Sequence, residues 1–186
     1  MVGFPRALFS GPVEPAARAL IGATLLVDGV GGTVVETEAY APDDAASHSF
    51  RGMTGRNAAM FGPPGHAYVY LCYGMHWCLN VVCGVEGHGS AVLIRALAPV
   101  QGVETMRERR GIEKLAILCN GPGRLCQALG VARSHDGIDL AAPPFSLVLA
   151  EREPDLLVGP RIGITRDVDR PWRFGLAGSP FLSRRF

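Results

Sequence analysis

The sequence predicts a single α+β domain: a mostly antiparallel, curved sheet with flanking helices and a protruding β-hairpin. Three observations predict it. Strand-like and helix-like segments follow one another in mixed order, with no βαβ period. A tyrosine-rich alternating run, HAYVYLCYGMHWCLN at 66–80, breaks at a Tyr-Gly pair, where a hairpin turns. The 186 residues include 24 Gly and 14 Pro, yet apolar segments recur throughout, so the turn formers punctuate one core (domain 1–186) rather than disorder it.

Each element follows from local signals. Residues 14–21 (EPAARALI) read as a helix, with Ser10 and Pro12 upstream and Gly22 closing it. Thr24–Val27 and Gly32–Tyr40 alternate as strands. Pro42 to Phe61 is polar, Gly-rich and irregular, and carries His48, Arg51, Arg56 and Asn57. A loop this long in a compact domain is usually functional. In the hairpin, a three-residue loop, Tyr73-Gly74-Met75, would pair Tyr70 with Cys78 and Tyr68 with Asn80 on one face. A two-residue loop would put Asn80 on the opposite face from Tyr70. Ser90–Ala98 is an apolar strand interrupted by Arg95, and 100–110 a helix ending at Gly111. Asn120 caps a further helix, RLCQALG, closed at Gly130. Phe145–Leu149, Pro160–Ile164 and Trp172–Leu176 complete the strands.

Composition narrows the function classes. No run reaches the roughly 18 apolar residues of a membrane span. The N-terminal stretch is broken by prolines and has no secretory apolar region, so the expectation is a cytoplasmic, nucleoid-associated protein without signal peptide. The five cysteines are odd in number and match no zinc spacing, so no metal is implied. The net charge of +1 is not the basic balance of a nonspecific nucleic-acid binder. The cations are nevertheless all Arg except Lys114. That bias fits either a GC-rich coding sequence or an Arg-lined face, since the guanidinium fork binds phosphate bidentately.

Three groups of residues carry chemistry. Glu36, Glu38 and Tyr40 share one face of a regular strand, with neighbours about 7 Å apart. Such a pair is either a solvated strand face or a site where one glutamate activates water. The hairpin is either an aromatic core element or, with an exposed Tyr at its tip, a wedge between base pairs. Arg95, inside an apolar strand, needs a partner if buried. Glu38 is the natural one; another acid, or an outward-facing position on an edge strand, is the alternative. His48 and His66 lie near the same segments, and His48 could lie flat against a base.

At these residues the chain resembles a known family. VVETEAY, DDAASHS, GRNAAMFGPPGHAYVYLCYGMHWCLN, VLIRALAP, GPGRLCQALG, PRIGI and RFGLAGSP, in that order over nearly the whole length, resemble the alkyladenine (3-methyladenine) DNA glycosylases. The resemblance implies one mixed α/β domain without metal or organic cofactor. It implies excision of alkylated or deaminated purines (3-methyladenine, 7-methylguanine, hypoxanthine, ethenoadenine) from double-stranded DNA. Glu38 matches the general base and Arg95 the arginine that helps hold the water. Tyr40, His48 and Tyr70 match the aromatic walls of the base pocket, and Asn80 the residue that discriminates against guanine. The carbonyl of Ile162 matches a further water ligand. Tyr73 matches the residue that fills the gap left by the flipped base, and Met75 and His76 follow it in the minor groove. Gly123 and Arg124 match a phosphate-contacting turn. Glu36 is then a neighbour dispensable to the chemistry and Tyr68 a support.

The enzyme so implied is monofunctional, because strand cleavage needs an amine and the only lysine, Lys114, lies in a helix-like segment away from the motifs. A monomer without an obligate protein partner is expected. Two rivals remain: an inverting O-glycoside hydrolase using Glu36 and Glu38 at about 6.5–9.5 Å, and a non-catalytic nucleic-acid-binding domain.

Overall fold

The computed structural model describes residues 4–186; residues 1–3, the start of the proline-broken N-terminal run and of the domain taken as 1–186, lie outside the described residues. The helices are α1 (Arg6–Phe9), α2 (Val13–Ala19), α3 (Val103–Arg110) and α4 (Pro122–Leu129). The strands are β1 (Thr24–Val27), β2 (Val30–Tyr40), β3 (Ala67–Cys72), β4 (His76–Cys83), β5 (Ser90–Gln101), β6 (Phe145–Val148), β7 (Leu156–Gly159) and β8 (Arg173–Leu176). They form one eight-stranded sheet: six run in the order β3-β4-β5-β2-β1-β6, and off this path β8 pairs with β2 and β7 with β8. Every pairing between its strands is antiparallel. This is the α+β class expected, with helices α2 and α4 packed on the sheet.

The long strand β2 organises the sheet. One edge pairs with β5 along its length; the other pairs with β1 over Val30–Thr33 and with β8 over Glu36–Glu38. The sheet therefore forks, with β7 and β8 folding away from β1 and β6. Two consecutive glycines allow the crowding at the fork. A Cβ on Gly31 would lie 2.0 Å from the Leu25 carbonyl oxygen, and one on Gly32 1.9 Å from that of Ala98. Between β2 and β5 the register shifts on either side of Glu36, so that Val35 and then Arg95 each lack a partner across the ladder. Such bulges bend a strand and re-aim side chains.

The two faces differ. On one, Thr37 donates its hydroxyl to the Ala17 carbonyl of α2 (2.9 Å), and Phe9, Leu20, Ile21, Leu97, Leu125 and Leu129 belong to the main core. On the other, pairing aligns Glu38, Leu93, Asn80 and Tyr68 in one row across β2, β5, β4 and β3. A smaller cluster of Met60, Tyr68, Val82 and Ala91 covers part of this face.

The hairpin register matches expectation: Tyr70 opposes Cys78 and Tyr68 opposes Asn80 around the loop Tyr73-Gly74-Met75. Tyr73 and Gly74 both take positive φ (50° and 71°), which closes the odd-length loop.

Four expectations need correction. Residues 160–164 are not a strand; the strand is Leu156–Gly159, which pairs with β8, and the 160–164 segment instead reaches across to β2. Residues 100 and 101 end β5, and α3 starts at Val103 after Gly102 in the left-handed region. Asn120 does not cap α4; Gly121 holds that position, and the Asn120 carboxamide accepts from Arg124 (2.8 Å). Finally, Lys114 lies in extended backbone beyond α3, not in a helix.

The fork makes a prediction. Gly32→Ala forces a Cβ against the β5 backbone at Ala98 and Val100 and should cost about 3 kcal/mol in chemical unfolding. A change under about 0.5 kcal/mol, the scatter of ordinary surface substitutions, would show that the strands can yield there.

Candidate active site

A cavity of about 660 Å³ opens on the Glu38 face of the sheet, lined among others by Tyr40, His48, Tyr70, Asn80, Arg95 and Ile162. Strands β2 to β5 supply most of its floor. The 42–61 loop brings His48 and Arg56, and the segment after β7 brings Ile162. The sheet therefore gathers residues from four separate parts of the sequence.

Glu38 is fully buried, behind three residues that line this cavity, Tyr40, Arg95 and Ile162. Its Oε1 accepts from the Ile162 backbone N–H at 2.7 Å. Its Oε2 accepts from the Tyr40 hydroxyl at 2.8 Å and from Arg95 Nη1 at 3.3 Å. Arg95 also donates through Nε to Glu36 Oε1 at 3.2 Å. Arg95 is thus buried between two acids, not one. Burial would lower its pKa; Glu38 and then Glu36 outweigh that and raise it. Burial, and next the Glu38 charge, push the Tyr40 pKa well up, so its hydroxyl stays a donor.

Glu36 is no solvated neighbour. It is fully buried and its oxygens accept from Arg95, Arg173 Nε (2.7 Å), and the Ser183 hydroxyl (2.8 Å) and N–H (2.6 Å). The pair Glu36 and Glu38 shares one face, as alternation requires, and both meet Arg95 because the β5 bulge turns it toward them.

The aromatic side chains divide. Tyr68 is buried and its hydroxyl bonds His48 Nδ1 at 2.9 Å. The His48 ring stands edge-on to Tyr70, centroids 4.5 Å apart at 74°. Desolvation, and then the Arg56 charge, lower its pKa, although the residue as a whole is exposed. Asn80 is buried, and its Nδ2 donates to the Tyr68 carbonyl at 2.9 Å. At the hairpin tip Tyr73 is 85% and Met75 70% exposed, beside the cavity mouth. His76 packs on Gly123, where a Cβ would fall 2.8 Å from the His76 Cβ. Arg124, one residue on, is exposed. Hairpin tip and α4 start thus form one rim.

Sequence reasoning missed a second buried ion pair. Asp44 and Arg161 are both inaccessible and pair bidentately, with Arg161 Nη2 to Asp44 Oδ1 at 2.9 Å. Arg161 also donates to the Ala39 carbonyl (3.0 Å) and lies 4.7 Å over the Tyr40 ring. It anchors the start of the His48 loop beside Ile162. A signal existed: Arg161 directly precedes Ile162 in PRIGI, and Asp44 opens DAASHS. Cys72 and Cys78 also line the cavity, unannounced by any motif. Among the described residues no three His, Cys, Asp or Glu side chains are placed to hold a metal ion, and no helix is long and apolar enough to cross a membrane.

Comparison with known proteins bears on this geometry. A family model described as methylpurine-DNA glycosylase matches residues 7–180. A protein of Rhodopseudomonas palustris (strain HaA2) named "Putative 3-methyladenine DNA glycosylase" is 59% identical over 97% of this chain and 90% of its own length. Proteins with the same name from Nitrosospira multiformis and Rhizobium meliloti are 58% and 59% identical, over 96% of this chain and 92% and 95% of their own.

Two outcomes follow. Asp44→Asn leaves Arg161 buried without its charge partner and should cost about 3–5 kcal/mol in chemical unfolding. His48, with a folded pKa below its ordinary value, contributes stability that is complete above about pH 6.5 and lost as pH falls through the lower folded value. The melting temperature of wild type should therefore drop more than that of His48→Gln between pH 8 and 5; parallel curves would contradict this.

Proposed function

The chain belongs to the methylpurine-DNA glycosylase family, and from that premise we propose that residues 1–186 act as one monofunctional glycosylase domain. It hydrolyses the N-glycosidic bond of alkylated or deaminated purines in double-stranded DNA, the first step of base excision repair. The observation that carries the reading is the placement of Glu38: a buried carboxylate held by three donors, Tyr40, Arg95 and the Ile162 N–H, all of which line an aromatic cavity large enough for a purine.

The target atom lies inside the base stack, so the nucleotide must rotate out. Unstacking costs a few kcal/mol, less for a damaged base. Tyr73, exposed at the hairpin tip, offsets this by filling the gap. Met75 and His76 beside it, and Gly123 and Arg124 across the rim, contact the strands. The base enters between Tyr40 and His48 on one side and Tyr70 on the other, with His48 turning from its edge-on position. An electron-poor, cationic alkylpurine stacks on such rings better than a neutral base.

Glu38 then accepts a proton from a water whose oxygen bonds C1′, while the bond to the purine nitrogen breaks and its electron pair leaves with the base. The carboxylate charge stabilises the oxocarbenium-like centre. Arg95 and the backbone of Ile162, whose N–H already holds Glu38, orient water and base. Guanine differs from hypoxanthine by an exocyclic N2 amino group. Asn80 excludes it, because a side chain tied to the Tyr68 carbonyl cannot swing aside. No lysine lines the cavity, which fits hydrolysis without strand cleavage. The protein works as a monomer on nucleoid DNA in the cytoplasm.

The O-glycoside hydrolase alternative requires Glu36 to act as acid or base at the cavity, but of the residues that donate to Glu36 only Arg95 lines the cavity, Arg173 and Ser183 lying away from it, whereas all three donors to Glu38 line it. A purely DNA-binding domain has no need of a buried carboxylate behind a purine-sized cavity.

Base release from duplexes each carrying one lesion tests the proposal. Glu38→Gln should lower single-turnover release about 10²–10⁴-fold while lesion-duplex affinity persists; an unchanged rate would remove Glu38 as base. Asn80→Ser should release guanine measurably faster than wild type. No gain there would remove Asn80 from discrimination.

A further inference from the structure

The last four residues of the chain converge on the acid that the reaction does not use. Ser183 gives Glu36 two of its four donors, the backbone N–H to Oε2 (2.6 Å) and the hydroxyl to Oε1 (2.8 Å). The Ser183 hydroxyl oxygen also accepts from Arg95 Nη2 at 3.4 Å. Arg173, which gives Glu36 a third donor, binds the carbonyls of Arg184 (2.6 Å) and Arg185 (3.3 Å) and lies 3.8 Å over the Phe186 ring. Phe186 has a built seat on β7 and β8. A Cβ on Gly175 would come within 2.4 Å of its ring, and one on Gly159 within 3.1 Å. The segment is therefore docked through backbone, hydroxyl and aromatic contacts at once.

The consequence reaches Glu38 through Arg95. Arg95 faces two carboxylates, Nε toward Glu36 and Nη1 toward Glu38. What fixes Glu36 fixes the Nε end, and a planar guanidinium fixed at one end has its other donors aimed. With only the Ser183 hydroxyl lost, Glu36 keeps the backbone N–H but Oε1 is left to the two arginines; with the whole segment lost, Glu36 keeps only its two charged donors and can follow either arginine. Arg95 then loses the geometry that points Nη1 at Glu38. We propose that Ser183–Phe186, acting through Glu36 and Arg173, forms a positioning latch that sets Arg95, and hence the Glu38 carboxylate, for attack on C1′. These are positioning residues; none touches the base. The inference rests on the reading of Glu38 as general base. It also replaces the expectation that Glu36 is dispensable.

The test compares wild type, Glu38→Gln, Ser183→Ala, Ser183→Thr and a chain ending at Leu182. Three readouts are taken: single-turnover release of methylpurines from radiolabelled methylated duplex DNA, affinity for a duplex carrying an abasic-site analogue, and melting temperature. Ser183→Ala should lose about 10-fold in rate and the truncation about 100-fold, the scale of a misplaced reacting group. Affinity should hold within about threefold, a fraction of a tenfold step in binding energy. Ser183→Thr, which keeps the hydroxyl, should restore the rate. The point substitutions decide the matter even where truncation unfolds the chain. Ser183→Ala at wild-type rate, Thr failing to rescue, or rate and affinity falling together would overturn the latch while leaving the Glu38 reading intact. A wild type that releases no methylpurine, or a Glu38→Gln chain as fast as wild type, would overturn that reading and the latch with it.

Discussion

Two acids and two guanidiniums buried together, Glu36, Glu38, Arg95 and Arg173, are the constraint on which the rest of the structure depends. Each side chain is under a tenth exposed, and the formal charges cancel. Removing an ion from water costs several kcal/mol, recovered only where geometry and hydrogen bonds are nearly complete. The fold supplies that completeness from five parts of the chain: β2 for the acids, the β5 bulge for Arg95, β8 for Arg173, and Ser183 and the Ile162 segment for further donors. The forked sheet, with its Gly31-Gly32 pair and offset bulges, is what lets these pieces meet on one face.

The same logic shapes the cavity wall. Tyr40 has one edge in the charge cluster, through its hydroxyl on Glu38, and one ring face under Arg161 of the second buried pair. Arg161 and Asp167 hold the loop that carries His48, the latter by accepting the Ala45 N–H at 2.7 Å. The Tyr40 wall of the cavity is thus fixed by buried charge, and under the proposed reaction rigid donors placed where charge develops need no reorganisation. The mobile demand falls on the exposed hairpin tip and on the His48 ring. Both lie at the rim, where movement leaves the charge cluster undisturbed.

Much of this was legible in the sequence, for identifiable reasons. The hairpin register could be read because side chains alternate strictly and Tyr73-Gly74 marks the break. Arg95 announced itself as a lone charge in an apolar strand. The residues that the family resemblance points to, Tyr40, His48, Tyr70, Asn80, Arg95 and Ile162, are brought by chain folding to one cavity. What stayed hidden depends on distance along the chain. Asp44 meets Arg161 117 residues away and Glu36 meets Ser183 147 residues away, with no local pattern to join them. The strand placed at 160–164 failed because its apolar residues face the site, while the weaker run Leu156–Gly159 won the ladder with β8. The Asn120 cap failed because its side chain had a better partner in Arg124.

The central claim is that Arg95 and Glu38 act as one unit set by the buried cluster. A double-mutant cycle on single-turnover base release measures this directly, using Arg95→Gln, Glu38→Gln and the pair. The account predicts strong non-additivity: with Glu38 already lost, losing Arg95 should cost little more, because its task was to hold that carboxylate and its water. Fold losses that simply multiply, Arg95→Gln costing the same with and without Glu38, would show that the two act independently and would contradict the account.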